Sequence, residues 1–203
     1  LYFLSIYKLL LLNLKNFYFR SKFYNKKLIT FVPDRIFYIP STYLSNSLIP
    51  INNDFYKITD ISPELFWQTS IKDKSKFDNL HSFLWLSKLD RKNSKNITKD
   101  IIKSWLDIFY NYEPNTWNIE IAARRVIAWA SNIDITLEDS DKKYKEKFFL
   151  SLVKQSNFIS KNLNSVFSGP GKIVACAAII LSGILFKENE INYKNGMKEL
   201  EKV

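Results

Sequence analysis

The chain has one cysteine, one histidine, one methionine and four glycines among 203 residues, and each shortage excludes something. The single thiol, Cys176, can form no internal disulfide, and within its apolar run it reads as a small buried hydrophobe. With His81 the only imidazole, a metal site built from several His and Cys ligands is excluded, and no carboxylate pattern suggests another. No metal and no cofactor is expected. The glycines do not fall at Gly-x-x-x-x-Gly-Lys-Ser/Thr spacing, so there is no phosphate loop. Long apolar runs are also missing. Leu1–Leu12 is broken by Lys8, is followed by Asn13, Lys15 and Asn16 rather than a small-residue cleavage site, and is too short to span a bilayer. Ile173–Phe186 has the length of a core helix rather than a membrane span. There is no initiator Met, and Met197–Val203 reads as a helix in mid-run, so the chain is expected to be a piece of a longer protein.

What the chain does have is apolar and aromatic: 46% hydrophobic and 16% aromatic residues, enough for a real core and too much for disorder. The net charge is +10. Such a balance suits nucleic acid, anionic lipid or anionic polysaccharide, and it equally suits an ordinary surface in a Lys-, Asn- and Ile-rich chain. The basic residues are scattered and no binding module is present, so no nucleic-acid partner is expected.

Periodicity predicts helices almost throughout. Residues 1 to 20 read as a helix; Leu28–Pro50, with Pro33, Pro40 and Pro50, reads as extended chain and loop, and Asn52-Asn53-Asp54 as a turn. Ser62-Pro63-Glu64 is a helix start. One helix is predicted over Lys74–Leu89 with Phe77, Leu80, Leu84 and Trp85 inward, and a polar loop over Arg91–Asn96. Another runs Thr98–Tyr110, with Ile101, Ile102, Trp105, Ile108 and Phe109 on one face. Asn115 or Thr116 starts a helix over Trp117–Ala130. Asp134–Ser140 is a loop whose last residue caps a long helix through Phe158; Gly169-Pro170-Gly171 breaks the chain; Ile173–Phe186 is buried on most sides; and a last helix begins near Glu190. Short loops between helices, with no fixed-period repeat, predict an all-α fold of antiparallel helix pairs. Residues 1–60, an N-terminal helix plus the irregular proline-containing segment, separate from a helical unit over 61–203.

Four segments carry a family resemblance. Asn79-Leu80-His81-Ser82-Phe83-Leu84-Trp85 resembles the heparinase II/III motif, in which a helix carries Asn-Leu-His-Tyr-Phe-Asp-Trp-Leu or a near variant. Ile102-Lys103-Ser104-Trp105 matches an Ile-x-x-Trp helix, and Trp117-x-x-Glu120-x-x-x-Arg124-Arg125-x-x-Ala128-Trp129 looks like the family's Trp-x-Pro-x-x-x-x-x-Arg-x-x-x-Trp segment. Gln155–Leu163 resembles the Gln-x-x-x-Leu helix that follows, so that the likeness covers roughly residues 60 to 203. It implies an incomplete (α/α) toroid, followed in the full protein by a β-sandwich domain, and a location in the periplasm of a Gram-negative bacterium. It also implies a lyase that cleaves uronate-containing polysaccharides by β-elimination. That reaction needs a neutralised substrate carboxylate, a base for the proton alpha to it and an acid for the leaving oxygen. The chain departs from the family at Gly169-Pro170-Gly171-Lys172, where members place an Asn-His pair, so no catalytic residue transfers and the fragment alone is expected to be inactive.

The candidate substrate-binding residues are Asn79, His81, Trp117, Arg124, Arg125 and Lys172. His81 and Asn79 fit a substrate contact at the toroid mouth, or His81 a hydrogen-bonded packing role. Trp117 and Trp129 could stack on sugar faces, although Ala122, Val126 and Ala130 point Trp129 to the core. One of Arg124 and Arg125 could grip a carboxylate or sulfate bidentately, or Arg124 could pair with Glu120 on the helix surface. Lys172 could hold an anion at a helix start, or the glycines beside it could simply form a tight turn. Tyr110 and Tyr112 read as loop-edge packing. Two readings follow: the toroid part of a lyase acting on an anionic polysaccharide, or a non-catalytic helical scaffold for an anionic glycan or protein.

Overall fold

A computed structural model describes residues 2–31, 48–51, 54–57, 62–67, 73–89, 91, 94–166 and 169–203. The expected extended chain around Pro33 and Pro40, and the turn at Asn52-Asn53, lie outside these residues. Among these residues the fold is all-α apart from one antiparallel hairpin, β1 (Leu48–Ile51) with β2 (Asp54–Lys57), in which Ile51 pairs with Asp54. The helices are α1 (Tyr2–Arg20), α2 (Lys22–Lys27), α3 (Pro63–Phe66), α4 (Lys74–His81), α5 (Lys95–Phe109), α6 (Ile119–Ser131), α7 (Ile133–Thr136), α8 (Lys142–Asn162), α9 (Pro170–Leu185) and α10 (Glu190–Leu200).

The central element is α6, and alanines explain why. Ala122, Ala123, Ala128 and Ala130 are buried and short, so α8 and α9 both pack closely on this helix. Cross-helix partners run in opposite order along neighbours: Phe109 of α5 meets Trp117, just before α6, and Trp105 meets Trp129 of α6, while Trp117 meets Phe158 and Trp129 meets Phe148 of α8. Both pairs are antiparallel. So is α9 with α10, where two glycines set the approach. A Cβ on Gly183 would lie 2.5 Å from Tyr193 Cβ, and one on Gly196 would lie 2.6 Å from Ile180 Cγ1.

Several boundaries and faces differ from expectation. The predicted helix over Lys74–Leu89 is two elements, because Phe83 takes a left-handed conformation (φ 58°) and Leu84–Lys88 continues as a 3-10 helix. The turn rotates Phe83, Trp85 and Leu86 into the core together and puts Leu84 outside. On α5, Leu106 is buried where Ile108 was expected, and Ile108 is exposed. Asp141 caps α8, not Ser140: its carboxylate accepts from Tyr144 N at 2.8 Å. The cap of α6 is Asn118, whose side chain accepts from Glu120 N at 3.0 Å, and Glu113 organises the turn before it by accepting from Asn115 N and Thr116 N. The apolar α9 is not enclosed: Ile173 and Ile184 are exposed. Cys176 is buried and unpaired, as its surroundings suggested.

Candidate functional site

Of the six candidate residues, the structure brings two into one cleft. Asn79, at the end of α4, and Arg124, one turn into α6, line a depression of about 570 Å³ together with Lys74, Asp78, Asn118 and Glu120. The charges there are balanced. Lys74 Nζ pairs with Asp78 at 2.9 Å, and Arg124 Nη2 pairs with Glu120, the i,i+4 contact expected from the sequence. All four side chains are at least one-third exposed. Exposed pairs of this kind contribute about 0–1 kcal/mol, so a ligand carboxylate or hydroxyl can replace either partner at small cost. Asn118 uses its Oδ1 for the helix cap, which leaves its amide donors for a ligand. Among the described residues that line it there is no histidine or tyrosine.

The other four candidates are engaged elsewhere. Arg125 is fully buried behind the cleft. Its Nε donates to Gln155 Oε1 at 2.6 Å, Nη1 to the His81 carbonyl at 2.8 Å and Nη2 to the Thr116 carbonyl at 3.0 Å, and its guanidinium lies 4.2 Å above the Trp105 ring. Burial pushes its pKa down to about 9, which still leaves it charged at neutral pH. Among the described residues no carboxylate pairs with it. It ties α4, α6 and α8 together and does not reach a ligand. Trp117 is buried beneath the start of α6, its indole N–H donating to the Phe109 carbonyl at 3.0 Å and its ring against Phe158. Its edge borders a second cleft of about 460 Å³, also lined by Lys15, Asn16, Tyr112 and Glu120. Lys172 lies in the first turn of α9 and pairs with Glu199 of α10 at 3.1 Å, both largely shielded, so it locks two helices rather than facing an anion. Of the two glycines beside it only Gly169, the cap of α9 with φ 133°, forms the turn; Gly171 already lies in the first turn of α9, beneath the Glu120 carboxylate.

His81 is 3% exposed, boxed by Trp67, Phe77 and Phe109. Its Nδ1 accepts from Trp105 Nε1 at 3.2 Å, so the neutral ring carries its proton on Nε2. Burial first, and the nearby Arg125 second, push its pKa from 6.5 down to about 3. The folded protein therefore binds this proton less well than the unfolded chain, and stability falls as pH drops from 6.5 towards 3. Between pH 6.5 and pH 5 the expected loss from this ring is about 2 kcal/mol. Urea unfolding at both pH values measures it. The loss should shrink in His81→Gln, and an unchanged pH dependence in that variant would refute the assignment.

Lys154 is a second buried basic group with no carboxylate partner among the described residues, missed in the sequence because it sits in a run of ordinary helical residues. Its Nζ donates to the Tyr110 carbonyl at 3.1 Å and to Asn111 Oδ1 at 2.7 Å and lies 4.2 Å above the Tyr110 ring, and burial pushes its pKa down to about 7. The cleft residues Lys74, Asp78 and Asn118 were also missed. The one available signal was the pairing of Lys74 with Asp78 at i,i+4, which fixes an exposed face of α4 beside Asn79.

No family model, no curated protein and no solved structure matches this chain. No group of three or more His, Cys, Asp or Glu among the described residues could hold a metal ion, and no helix among them is long and apolar enough to cross a membrane.

Proposed function

We propose that the chain is the helical, partial (α/α) toroid part of a heparinase II/III-like polysaccharide lyase of the periplasm, and that the cleft between α4 and α6 is a contact wall for an anionic glycan. The observation that carries this reading is the meeting of Asn79 and Arg124, from two separate motifs of the resemblance, in one polar depression. Exchangeable ion pairs and free amides there suit a ligand rich in hydroxyls and carboxylates. In this reading the chain supplies binding rather than chemistry: its histidine is buried and neutral, and the carboxylates of the cleft, Asp78 and Glu120, are held in ion pairs. The burial of His81, Trp117 and Arg125 favours a second reading, a helical scaffold that binds an anionic partner without turnover.

Titration of the protein with heparin, heparan sulfate, chondroitin and alginate tests the binding wall. Binding to at least one is expected, with Asn79→Ala/Arg124→Ala weakening it about tenfold while the circular dichroism stays unchanged. Equal binding by that variant would refute the cleft. Ultraviolet absorbance of unsaturated uronate should stay flat with this chain and rise with the full-length protein; a flat trace from folded full-length protein on every substrate would leave the scaffold reading standing.

A further inference from the structure

The first three turns of the N-terminal helix bury none of their apolar side chains from Leu4 on. At roughly 100° per residue, Ile6, Phe17, Leu10, Leu14, Tyr7, Tyr18, Leu11 and Leu4 fall in that angular order within an arc of roughly 160° on α1. All eight are between 43% and 79% exposed. Only the last turn makes contact with the body, through Asn16, whose Oδ1 accepts from the Tyr112 hydroxyl at 2.9 Å, and through Phe19, packed on Phe158 and Tyr112; Leu9 and Leu12, on that same side, are exposed as well. The helix is thus anchored by its last turn and leaves its apolar arc, with Leu9 and Leu12 beyond it, open to solvent, a large exposed apolar surface of the kind that marks an interaction site.

Charge selects the occupant. Lys8, Lys15, Arg20, Lys22, Lys26 and Lys27 are all exposed, and no Asp or Glu occurs before Asp34, so this short stretch holds six of the chain's ten excess positive charges. Lys8 and Lys15 border one edge of the apolar arc and Arg20 lies towards the other. A second copy of the chain would bring two such cationic segments face to face, at an electrostatic cost. An anionic lipid surface meets both features: acyl chains take the apolar arc, phosphates take the flanking cations, and Tyr7, Tyr18 and Phe17 suit the headgroup level. The helix is not long and apolar enough to cross the bilayer, so it would lie in its plane. We propose that α1, with the basic α2, docks this protein onto an anionic membrane surface, independently of what the cleft between α4 and α6 binds.

The test is co-sedimentation of the full chain with vesicles of phosphatidylcholine alone and of phosphatidylcholine with phosphatidylglycerol, at low and high salt. Binding to the anionic vesicles is expected, weakened by salt. Leu10→Glu/Leu14→Glu should reduce it at least tenfold, and Lys8→Gln or Lys15→Gln about fivefold each. These positions are exposed, so the variants should keep the native circular dichroism. The proposal is overturned if natively folded protein ignores anionic vesicles, or if Leu10→Glu/Leu14→Glu binds them like the parent. It is equally overturned if sedimentation velocity shows a dimer that the same variant dissolves, since the occupant is then a second copy.

Discussion

Arg125→Ala is expected to lower the unfolding free energy by about 3 kcal/mol, with the m-value in urea unchanged. Three acceptors on three different elements would lose their donor at once: the His81 carbonyl, the Thr116 carbonyl and Gln155 Oε1. Each buried acceptor left without a partner costs on the order of 1–3 kcal/mol. The stem of the side chain also fills space that alanine leaves empty, and Trp105 loses the cation above its ring. One effect opposes these, since alanine no longer carries a buried charge, and for that reason the sum stays well below the total of the parts. Two further variants separate packing from hydrogen bonding. Arg125→Met restores volume and no donor, and should recover less than half of the loss. Arg125→Lys restores charge, but a single ammonium cannot address three acceptors held in a fork, so it should also fall short. A loss below about 1 kcal/mol for Arg125→Ala would mean that the three bonds do not hold the native core together.

The contrast between Arg124 and Arg125 shows how far the sequence could be read. Helical spacing places residues 121, 125, 128 and 129 on one face and 120, 124, 127 and 131 on the next. Ile121, Ala128 and Trp129 are apolar, so the same arithmetic that sends Trp129 inward sends Arg125 with it. The pairing of Arg124 with Glu120 was legible for the same reason. What periodicity does not contain is a partner for a buried guanidinium when that partner is a pair of carbonyls rather than a carboxylate. Backbone acceptors have no residue type and leave no mark in composition. The same gap explains Lys154, which is held by the Tyr110 carbonyl.

The all-α fold and most helix positions were legible because the strong signals were local: apolar spacing in α5 and α6, and Pro63 at a helix start; Gly169-Pro170-Gly171 reads as a break, whereas α9 begins at Pro170 itself. The break at Phe83 was not, since a phenylalanine with φ 58° has no glycine or asparagine to announce it. Only the gain from burying Phe83, Trp85 and Leu86 together accounts for it, and that gain is tertiary. At the cleft, Asn79 and Arg124 were singled out by motif, while their neighbours come from the meeting of α4 with the start of α6, a pairing no sequence spacing states. The outward apolar stripe of α1 was hidden in another way. Its pattern reads as an ordinary core helix, and only the coordinates show which side faces the body.

Trp129→Ala should produce the other large effect, about 3–5 kcal/mol. The ring is fully buried, edge-on to Trp105 at 5.4 Å and to Phe83 at 5.3 Å and stacked on Phe148 at 5.1 Å, so its removal opens a cavity where α5, α6, α8 and the Phe83 turn meet. The identity of the indole matters less than its bulk. Of the five tryptophans, Trp67, Trp85, Trp105 and Trp117 donate their N–H to a described acceptor, whereas the Trp129 N–H is buried without one. Trp129→Phe therefore surrenders volume and no hydrogen bond, and should cost less than about 1.5 kcal/mol. Trp105→Phe, which breaks the bond to His81 and narrows the face beneath Arg125, should cost more than Trp129→Phe. Thermal and urea unfolding of the three variants gives the order directly. If the two phenylalanine variants were equally destabilised, the indole N–H of Trp105 would carry no more weight than that of Trp129, and the polar chain Trp105–His81–Arg125 would not be a stabilising unit.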